Sequence, residues 1–210
     1  GGVRRLTLQD SGNFGRSCGA TMDLGSPTDA MYQKHYFDLL RKVAAHLRSR
    51  SDWYRALAYI KPSGANLVSH ENRLPQNCQA GCLCNTRVFA EAGYTPSGLY
   101  DFYRKQFELL AQEFPDKPMS YALIQDGFPL VNDSGGWENE SGASSNGRPL
   151  PRGAEQTEHI LDMGQEAYGI RFVVQHNGLQ SQPPAGTCPN EGKHPAAPPY
   201  ARVGTGCPNR

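Results

Sequence analysis

Short apolar runs alternate with longer amphipathic segments along this chain, and this alternation constrains the fold more than any other feature. Four apolar runs predict β-strands, at residues 3–8, 56–61, 121–125 and 170–175. Each run is continuous, which is typical of strands that are buried on both faces of a parallel sheet. Strands that alternate with helices form right-handed crossovers. We therefore predict an α/β fold built on a parallel four-stranded sheet.

Three amphipathic segments predict the helices between these strands. The first two begin at Ser26-Pro27 and at Thr95-Pro96, an N-cap residue followed in each case by proline at the first helical position. Apolar residues then recur at spacings of three, four and seven, which places them on one helix face. The third segment is weaker and covers about residues 154–168. The order is therefore strand, helix, strand, helix, strand, helix, strand.

Length and charge narrow the class of protein. The 210 residues suit a single domain, which we place at residues 1–180, followed by an irregular Gly/Pro-rich tail at 181–210 that packs on it. The net charge is +1, from 21 Lys+Arg and 20 Asp+Glu. A nucleic-acid partner needs a clustered basic surface, so we expect none. No apolar run approaches the roughly 18–20 residues of a membrane span, so we expect no membrane partner.

The cysteines predict disulfide bonds and an oxidising compartment. There are six of them, an even number that is typical of an exported protein: Cys18, Cys78, Cys82, Cys84, Cys188 and Cys207. A bond between the last two would hold the tail. The dense group at 78–84, with Cys18 or His70 as a fourth ligand, leaves zinc as the alternative. We expect a secreted or otherwise extracytoplasmic protein.

Polar side chains follow the ends of the predicted strands, where the ligand site of a parallel α/β fold lies. Together with two aromatic rings that could stack on a sugar, they are Asn66, His70, Glu71, Asn72, Gln125, Asp126, Phe128, Trp137, His176 and Asn177. Amides, imidazoles and carboxylates bind hydroxyl groups, and an aromatic ring covers the apolar face of a sugar. This set predicts a carbohydrate site.

Two carboxyl groups are the candidates for catalysis. Glu71 lies between His70 and Asn72, where hydrogen bonds and partial burial would keep it protonated as a general acid. Asp126 directly follows a predicted buried strand. The alternatives are a surface glutamate paired with Arg73, an aspartate that caps a turn, and, for His176 and Asn177, a structural role or metal binding.

Four segments resemble the middle of a (β/α)8-barrel glycoside hydrolase of the retaining clan A type. They are WYRALAYIKPSGAN at 53–66, HENRLP at 70–75, FELLAQEFPDKPMSYALIQ at 107–125 and GIRFVVQHN at 169–177. The resemblance implies part of a TIM barrel, about its third to sixth strands, and places Glu71 as the acid/base after the fourth strand. Four strands leave open sheet edges. We therefore also expect homo-oligomers that pair at these edges.

The predicted function is hydrolysis of a glycosidic bond without a cofactor. Retaining hydrolysis needs two carboxyl groups, and Asp126 is the predicted nucleophile or second carboxylate, with Asp10 as a poorer choice. Two alternatives stay open. One is a metal-dependent hydrolase that binds zinc or manganese through His70, Glu71, Asp126 and His176. The other is a non-catalytic carbohydrate-binding or structural module.

Overall fold

The computed structural model describes residues 2–10, 18–66, 72–123 and 127–176. Strands and helices follow one another as β1 Arg5–Asp10, β2 Ala20–Gly25, α1 Ala30–Ser49, α2 Ser51–Ala56, α3 Asn85–Glu91, α4 Pro96–Glu113, β3 Met119–Leu123, α5 Gly153–Tyr168 and β4 Phe172–His176. A 3-10 turn, Gly169–Arg171, joins α5 to β4. The predicted tail, with Cys188 and Cys207, lies outside the described residues.

The three predicted helices are confirmed as α1, α4 and α5. Helix α4 begins as the sequence predicts, because the Thr95 side chain accepts a hydrogen bond from the Gly98 amide and Pro96 follows it. Helix α1 begins later than expected. Its cap is Asp29, whose carboxylate accepts a hydrogen bond of 2.7 Å from the Tyr32 amide.

The predicted parallel four-stranded sheet is wrong. The described strands form two small sheets, an antiparallel pair of β1 with β2 and a parallel pair of β3 with β4. A partial TIM barrel is therefore not supported. The chain is an α/β protein with short strands, and α5 lies in the connection between the two parallel ones.

Strand β1 explains one part of this error. It pairs antiparallel with β2, from Arg5 opposite Gly25 to Asp10 opposite Ala20. Leu6 and Leu8 are buried while Thr7 is exposed. This alternation is typical of an antiparallel sheet with one face toward solvent. Strand β2 went unpredicted because its sequence, ATMDLG, contains no apolar run.

The predicted strand at 56–61 explains the other part. Helix α2 continues through Ala56, and the Leu57 amide donates to the carbonyls of Trp53 and Tyr54. Too few residues then remain for a full strand. Only Ile60 forms a parallel bridge with Met119 of β3.

Helix α4 forms the centre of the hydrophobic core and contacts α1 on one side and α5 on the other. The most deeply buried large side chains are aromatic or aliphatic: Leu8, Leu74, Phe89, Tyr94, Leu99, Phe102, Tyr103, Phe107, Met119, Tyr121 and Phe128. The core therefore unites the hairpin, the helices and β3.

Two disulfide bonds are present, as the sequence predicts. Cys18 is bonded to Cys82 and Cys78 to Cys84. A zinc site on this cluster would need free thiolates, and all four sulfurs are bonded in pairs. Among the described residues, no helix has both the length and the apolar character to cross a membrane.

Candidate active site at the ends of β3 and β4

The carboxyl ends of β3 and β4 lie side by side. The parallel register pairs Met119 with Phe172 at one end and Leu123 with His176 at the other. The two strands therefore end at the same edge of the sheet, and polar residues follow each of them in the sequence. This is the edge at which ligands bind in open parallel sheets.

A third segment, residues 72–74, lies along the same edge. The Asn72 amide donates a hydrogen bond of 3.3 Å to the carbonyl of Ala122 in β3. The Leu74 amide donates one of 2.7 Å to the carbonyl of Gly127. Asn72 directly follows Glu71 in the sequence, and Gly127 directly follows Asp126. The chain positions next to both candidate carboxylates are thus anchored beside β3.

Asn72 is a buried anchor of this segment. Its side chain is 1% exposed. The Nδ2 atom donates to the carbonyls of Pro62 and Ala122, at 3.2 and 3.4 Å, and Oδ1 accepts a hydrogen bond of 2.9 Å from the Tyr103 hydroxyl. The amide is therefore committed to the protein's own groups. It positions the segment that follows Glu71.

Tyr103 is a residue that sequence reasoning assigned only to the core. Its ring is indeed buried on α4, and periodicity gives no signal for the hydroxyl that reaches Asn72. Burial holds the pKa of Tyr103 well above its usual value. The hydroxyl therefore stays protonated at neutral pH and keeps donating to Asn72.

Most of the predicted site side chains fall outside the described part of the chain. They are His70, Glu71, Gln125, Asp126 and Asn177. For His176 the structure describes the backbone in β4 and not the side chain. Their proposed roles therefore stay predictions.

Asn66 marks the other end of the segment that carries Glu71. It forms a parallel bridge with Arg73. The Asn66 Oδ1 atom accepts a hydrogen bond of 2.9 Å from the Gly64 amide. Gly64 has a φ of +93°, and a Cβ there would lie 2.7 Å from the Tyr36 ring. Only glycine fits this turn without strain.

Tyr32 supports the same turn from α1. Its hydroxyl donates a hydrogen bond of 2.6 Å to the Gly64 carbonyl. Burial, with a smaller contribution from Tyr36, raises the pKa of Tyr32 to about 12. This donor therefore also stays protonated over the neutral range.

Trp137 lies in the loop that joins β3 to α5. Its backbone pairs with Val131 and its amide donates to the Ser145 hydroxyl. The next residue, Glu138, accepts a hydrogen bond of 2.8 Å at its carbonyl from Thr86 of α3. Trp137 is half-buried against the core, and none of these backbone partners belongs to the edge of β3 and β4.

Asn85 organises a second polar cluster that sequence reasoning missed. It is fully buried, and its side chain bonds the amide and the carbonyl of Gln9 at 3.0 and 2.6 Å and the Asn77 side chain at 2.7 Å. The Gln9 side chain in turn accepts from the Leu83 amide at 2.7 Å. These bonds join the end of β1 to the disulfide-bonded segment.

A groove of about 650 Å³ lies between α4 and α5, away from the predicted site. Phe107 and Met163 form its floor beside Arg104, Glu108 and His159. Within the described ranges, no three His, Cys, Asp or Glu side chains are arranged to bind a metal ion. Three of the four residues in the alternative metal site, His70, Glu71 and Asp126, lie outside those ranges.

Comparisons with family models, curated proteins and solved structures gave no match for this chain. The resemblance to clan A glycoside hydrolases therefore stays a prediction that rests on the quoted segments. The hydrogen bonds that hold residues 72–74 against Ala122 and Gly127 are an observation that does not depend on this resemblance.

Proposed function

We propose that this protein hydrolyses glycosidic bonds at the edge where β3 and β4 end. One observation carries the proposal. Two hydrogen bonds, from Asn72 to Ala122 and from Leu74 to Gly127, hold the neighbours of Glu71 and Asp126 beside the same strand. A glycosidase needs two carboxyl groups on one site, so this arrangement supports the pair predicted from the sequence.

In the proposed reaction Glu71 is the acid/base and Asp126 the nucleophile. Glu71 gives its proton to the leaving oxygen while the Asp126 carboxylate attacks the anomeric carbon and forms a glycosyl ester. Water then attacks the same carbon. Its proton passes to Glu71, the ester bond breaks, and both carboxyl groups return to their starting states.

The remaining predicted residues would bind the sugar. Amide and imidazole groups exchange hydrogen bonds with hydroxyls, which suits Asn66, His70, Gln125, His176 and Asn177. Asn72 has a different role in this proposal. Because its side chain is bonded to Tyr103 and to two backbone carbonyls, it positions Glu71 through the backbone.

We also propose that the protein is exported from the cytoplasm. The support is chemical: two disulfide bonds join four of its cysteines. Such bonds persist in oxidising compartments and are rare in the cytosol.

Turnover on a panel of chromogenic glycosides tests the proposed reaction. The samples are the wild type, Glu71→Gln, Asp126→Asn and the control Glu140→Gln, which changes an exposed glutamate. We expect kcat to fall by roughly 10²- to 10⁴-fold in Glu71→Gln, because its general acid is lost. The control should keep the wild-type rate, and the thermal midpoints should agree.

Three outcomes would contradict the proposal. Loss of turnover after treatment with a chelator would favour a metal-dependent hydrolase. Sugar binding without turnover on any glycoside would favour a binding module. Unchanged turnover in both carboxylate variants would remove Glu71 and Asp126 from the reaction.

A further inference from the structure

Every large hydrophobic side chain that is strongly exposed in the described part of the chain lies at one of two places. Leu39, Val43, Trp53 and Tyr59 are 55%, 44%, 50% and 46% exposed. Ile170 and Val173 are 98% and 46% exposed. The first four belong to α1, α2 and the segment before Ile60, and we call them the α1–α2 end. The last two flank the start of β4, and we call that region the α5–β4 end.

The two ends lie on opposite sides of the molecule. Helix α4 separates α1 from α5, and β3 separates Ile60 from β4. The Ser120 amide donates to the Ile60 carbonyl at 2.7 Å, and β4 pairs with the other edge of β3. Among the described strands β4 pairs only with β3, and the outer edge of such a strand is where a further strand can pair.

The charges of the two ends are complementary. Residues 30–56, which form α1 and α2, contain six Lys or Arg and two Asp. Residues 153–173, which run from α5 into the start of β4, contain four Asp or Glu and one Arg. Opposite charge on two surfaces steers their encounter and disfavours contacts between like surfaces.

Trp53 gives the α1–α2 end an ordered aromatic anchor. The Arg50 guanidinium lies 5.2 Å from the centre of its ring, and the His46 ring meets it edge-on at 5.9 Å. A tryptophan that is already held in place loses little conformational freedom when it is covered. Tryptophan and arginine are also the residues that most often dominate binding energy at protein interfaces.

We propose that copies of this chain associate head to tail, with the α5–β4 end of one copy docked on the α1–α2 end of the next. The two surfaces differ, so the contact is heterologous, and only the terminal copies of an open assembly retain a free end. The 57–60 segment, β3 and β4 all run in the same direction. The outer edge of β4 therefore meets the 57–60 segment of the next copy with the same strand direction. This inference does not depend on the proposed hydrolysis.

Two variants that each block one end test the proposal. Leu39→Glu with Val43→Glu places acidic groups on the α1–α2 end, and Ile170→Lys with Val173→Lys places basic groups on the α5–β4 end. All four positions are exposed, so folding should be retained, which the thermal midpoint checks. Ala45→Glu adds a charge to another exposed position of α1 and is the control.

Sedimentation or light scattering should then give a specific pattern of masses. The wild type and the control should form species larger than one chain at about 100 μM. Each blocked variant should be monomeric alone, and an equimolar mixture of the two should form a one-to-one dimer, since each supplies the end that the other lacks. High salt should weaken that dimer.

Any of three results would overturn the inference. The first is a monomeric wild type at that concentration. The second is a mixture of the blocked variants that stays monomeric, which would mean that the ends do not bind each other. Dimers formed by one blocked variant alone would equally contradict a head-to-tail contact.

Discussion

Two neighbouring regions of this protein are held together by different interactions. The aromatic layer consists of Tyr94, α4, β3, α5 and β4, and its side chains pack ring against ring. The polar loop, residues 127–152, joins β3 to α5 and is held by hydrogen bonds from asparagine side chains to the backbone. The difference shows why one region is visible in the sequence and the other is not: apolar packing has a period, whereas side-chain hydrogen bonds to the backbone have none.

Phe107 is at the centre of the aromatic layer. Its ring centre lies 5.8 Å from that of Tyr103, 6.3 Å from Tyr121 and 5.1 Å from Phe172. The three pairs have tilted or edge-to-face geometry, which aromatic rings prefer. One side chain thus joins α4 to both parallel strands.

Asn132 has the corresponding place in the polar loop. Its Oδ1 atom accepts hydrogen bonds from the amides of Ser134 and Gly136, at 3.1 and 2.9 Å. Its Nδ2 atom donates to the carbonyls of Arg148 and Pro149, at 3.4 and 3.3 Å. Both ends of the loop are therefore bonded to one amide.

Phe107→Ala should have the largest effect on stability among the substitutions considered. Loss of this buried ring should lower the free energy of unfolding by about 3–5 kcal/mol, because a cavity remains where four ring contacts were. Phe107→Leu should cost clearly less, since more of the volume is kept. Urea denaturation measures both, and equal losses would contradict an aromatic packing role.

High pH should destabilise the aromatic layer and leave the polar loop unaffected. Burial raises the pKa of Tyr94, Tyr103 and Tyr121, and the polar loop contains no tyrosine. Above about pH 10 these groups lose protons in the unfolded state and keep them in the folded state, so stability falls as pH rises. The free energy of unfolding should therefore be lower at pH 11 than at neutral pH.

Urea denaturation at neutral pH and near pH 11, with tyrosinate absorbance followed in parallel, checks this expectation. The tyrosinate signal of these groups should appear together with unfolding. Ionisation of all tyrosines near pH 10 in a protein that stays folded would show that the layer is not closed to solvent.

Asn132→Ala should have a moderate effect that Asn139→Ala does not share. Asn132 is 9% exposed and its loss leaves the buried Gly136 amide without an acceptor, which should cost about 1–3 kcal/mol. Asn139 makes a similar pattern of bonds, to Ser141 and Ala143, at an exposed site. Water replaces those bonds, so the cost should be smaller. If both variants lost the same stability, burial would not be the reason.

Tyr103→Phe should have the smallest effect on stability, about 1–2 kcal/mol, because it keeps the ring and removes one donor to a buried amide. The substitution should change amide hydrogen exchange near Asn72 as well as the stability of the whole protein. Amide hydrogen exchange should rise in the 72–74 segment more than in the polar loop. Tyr59→Phe, at an exposed tyrosine, is the matched control, and equal exchange in both variants would remove Tyr103 as an anchor of this segment.

The sequence predicts the elements of this fold better than their pairing. The stripes of α4 and α5 and the apolar runs of β3 and β4 are local signals, and each element lies within about two residues of its expected position. Pairing depends on distant residues. In β1 the buried Leu6 and Leu8 alternate with the exposed Thr7, a pattern that is recognised only when the structure shows which side chains are buried. Nothing in the neighbouring sequence identifies residues 20–25 as the partner strand. Cysteine pairing has the same limit, since six cysteines allow 15 pairings.

In the candidate site, too, the sequence predicts the position of polar residues better than it predicts their bonding partners. Strand ends predict where polar residues collect, and the structure brings the 72–74 segment, Leu123 and His176 to one edge. The internal bonds of Asn72 could not be predicted, because they join residues 31 and 50 positions apart. Trp137, one of the two aromatic residues proposed to stack on sugar, belongs to the polar loop, whose backbone path is set by Asn132.

Covalent trapping tests the central claim of this account most directly. A glycoside that the wild type hydrolyses would be supplied in its 2-deoxy-2-fluoro form with a good leaving group, which slows breakdown of the glycosyl ester. Peptide mass spectrometry should then find one sugar attached to Asp126, and none in Asp126→Asn. A label on another carboxylate, or continued turnover with no label, would contradict the proposal that the edge beside Asn72 and Gly127 holds the two catalytic carboxyl groups.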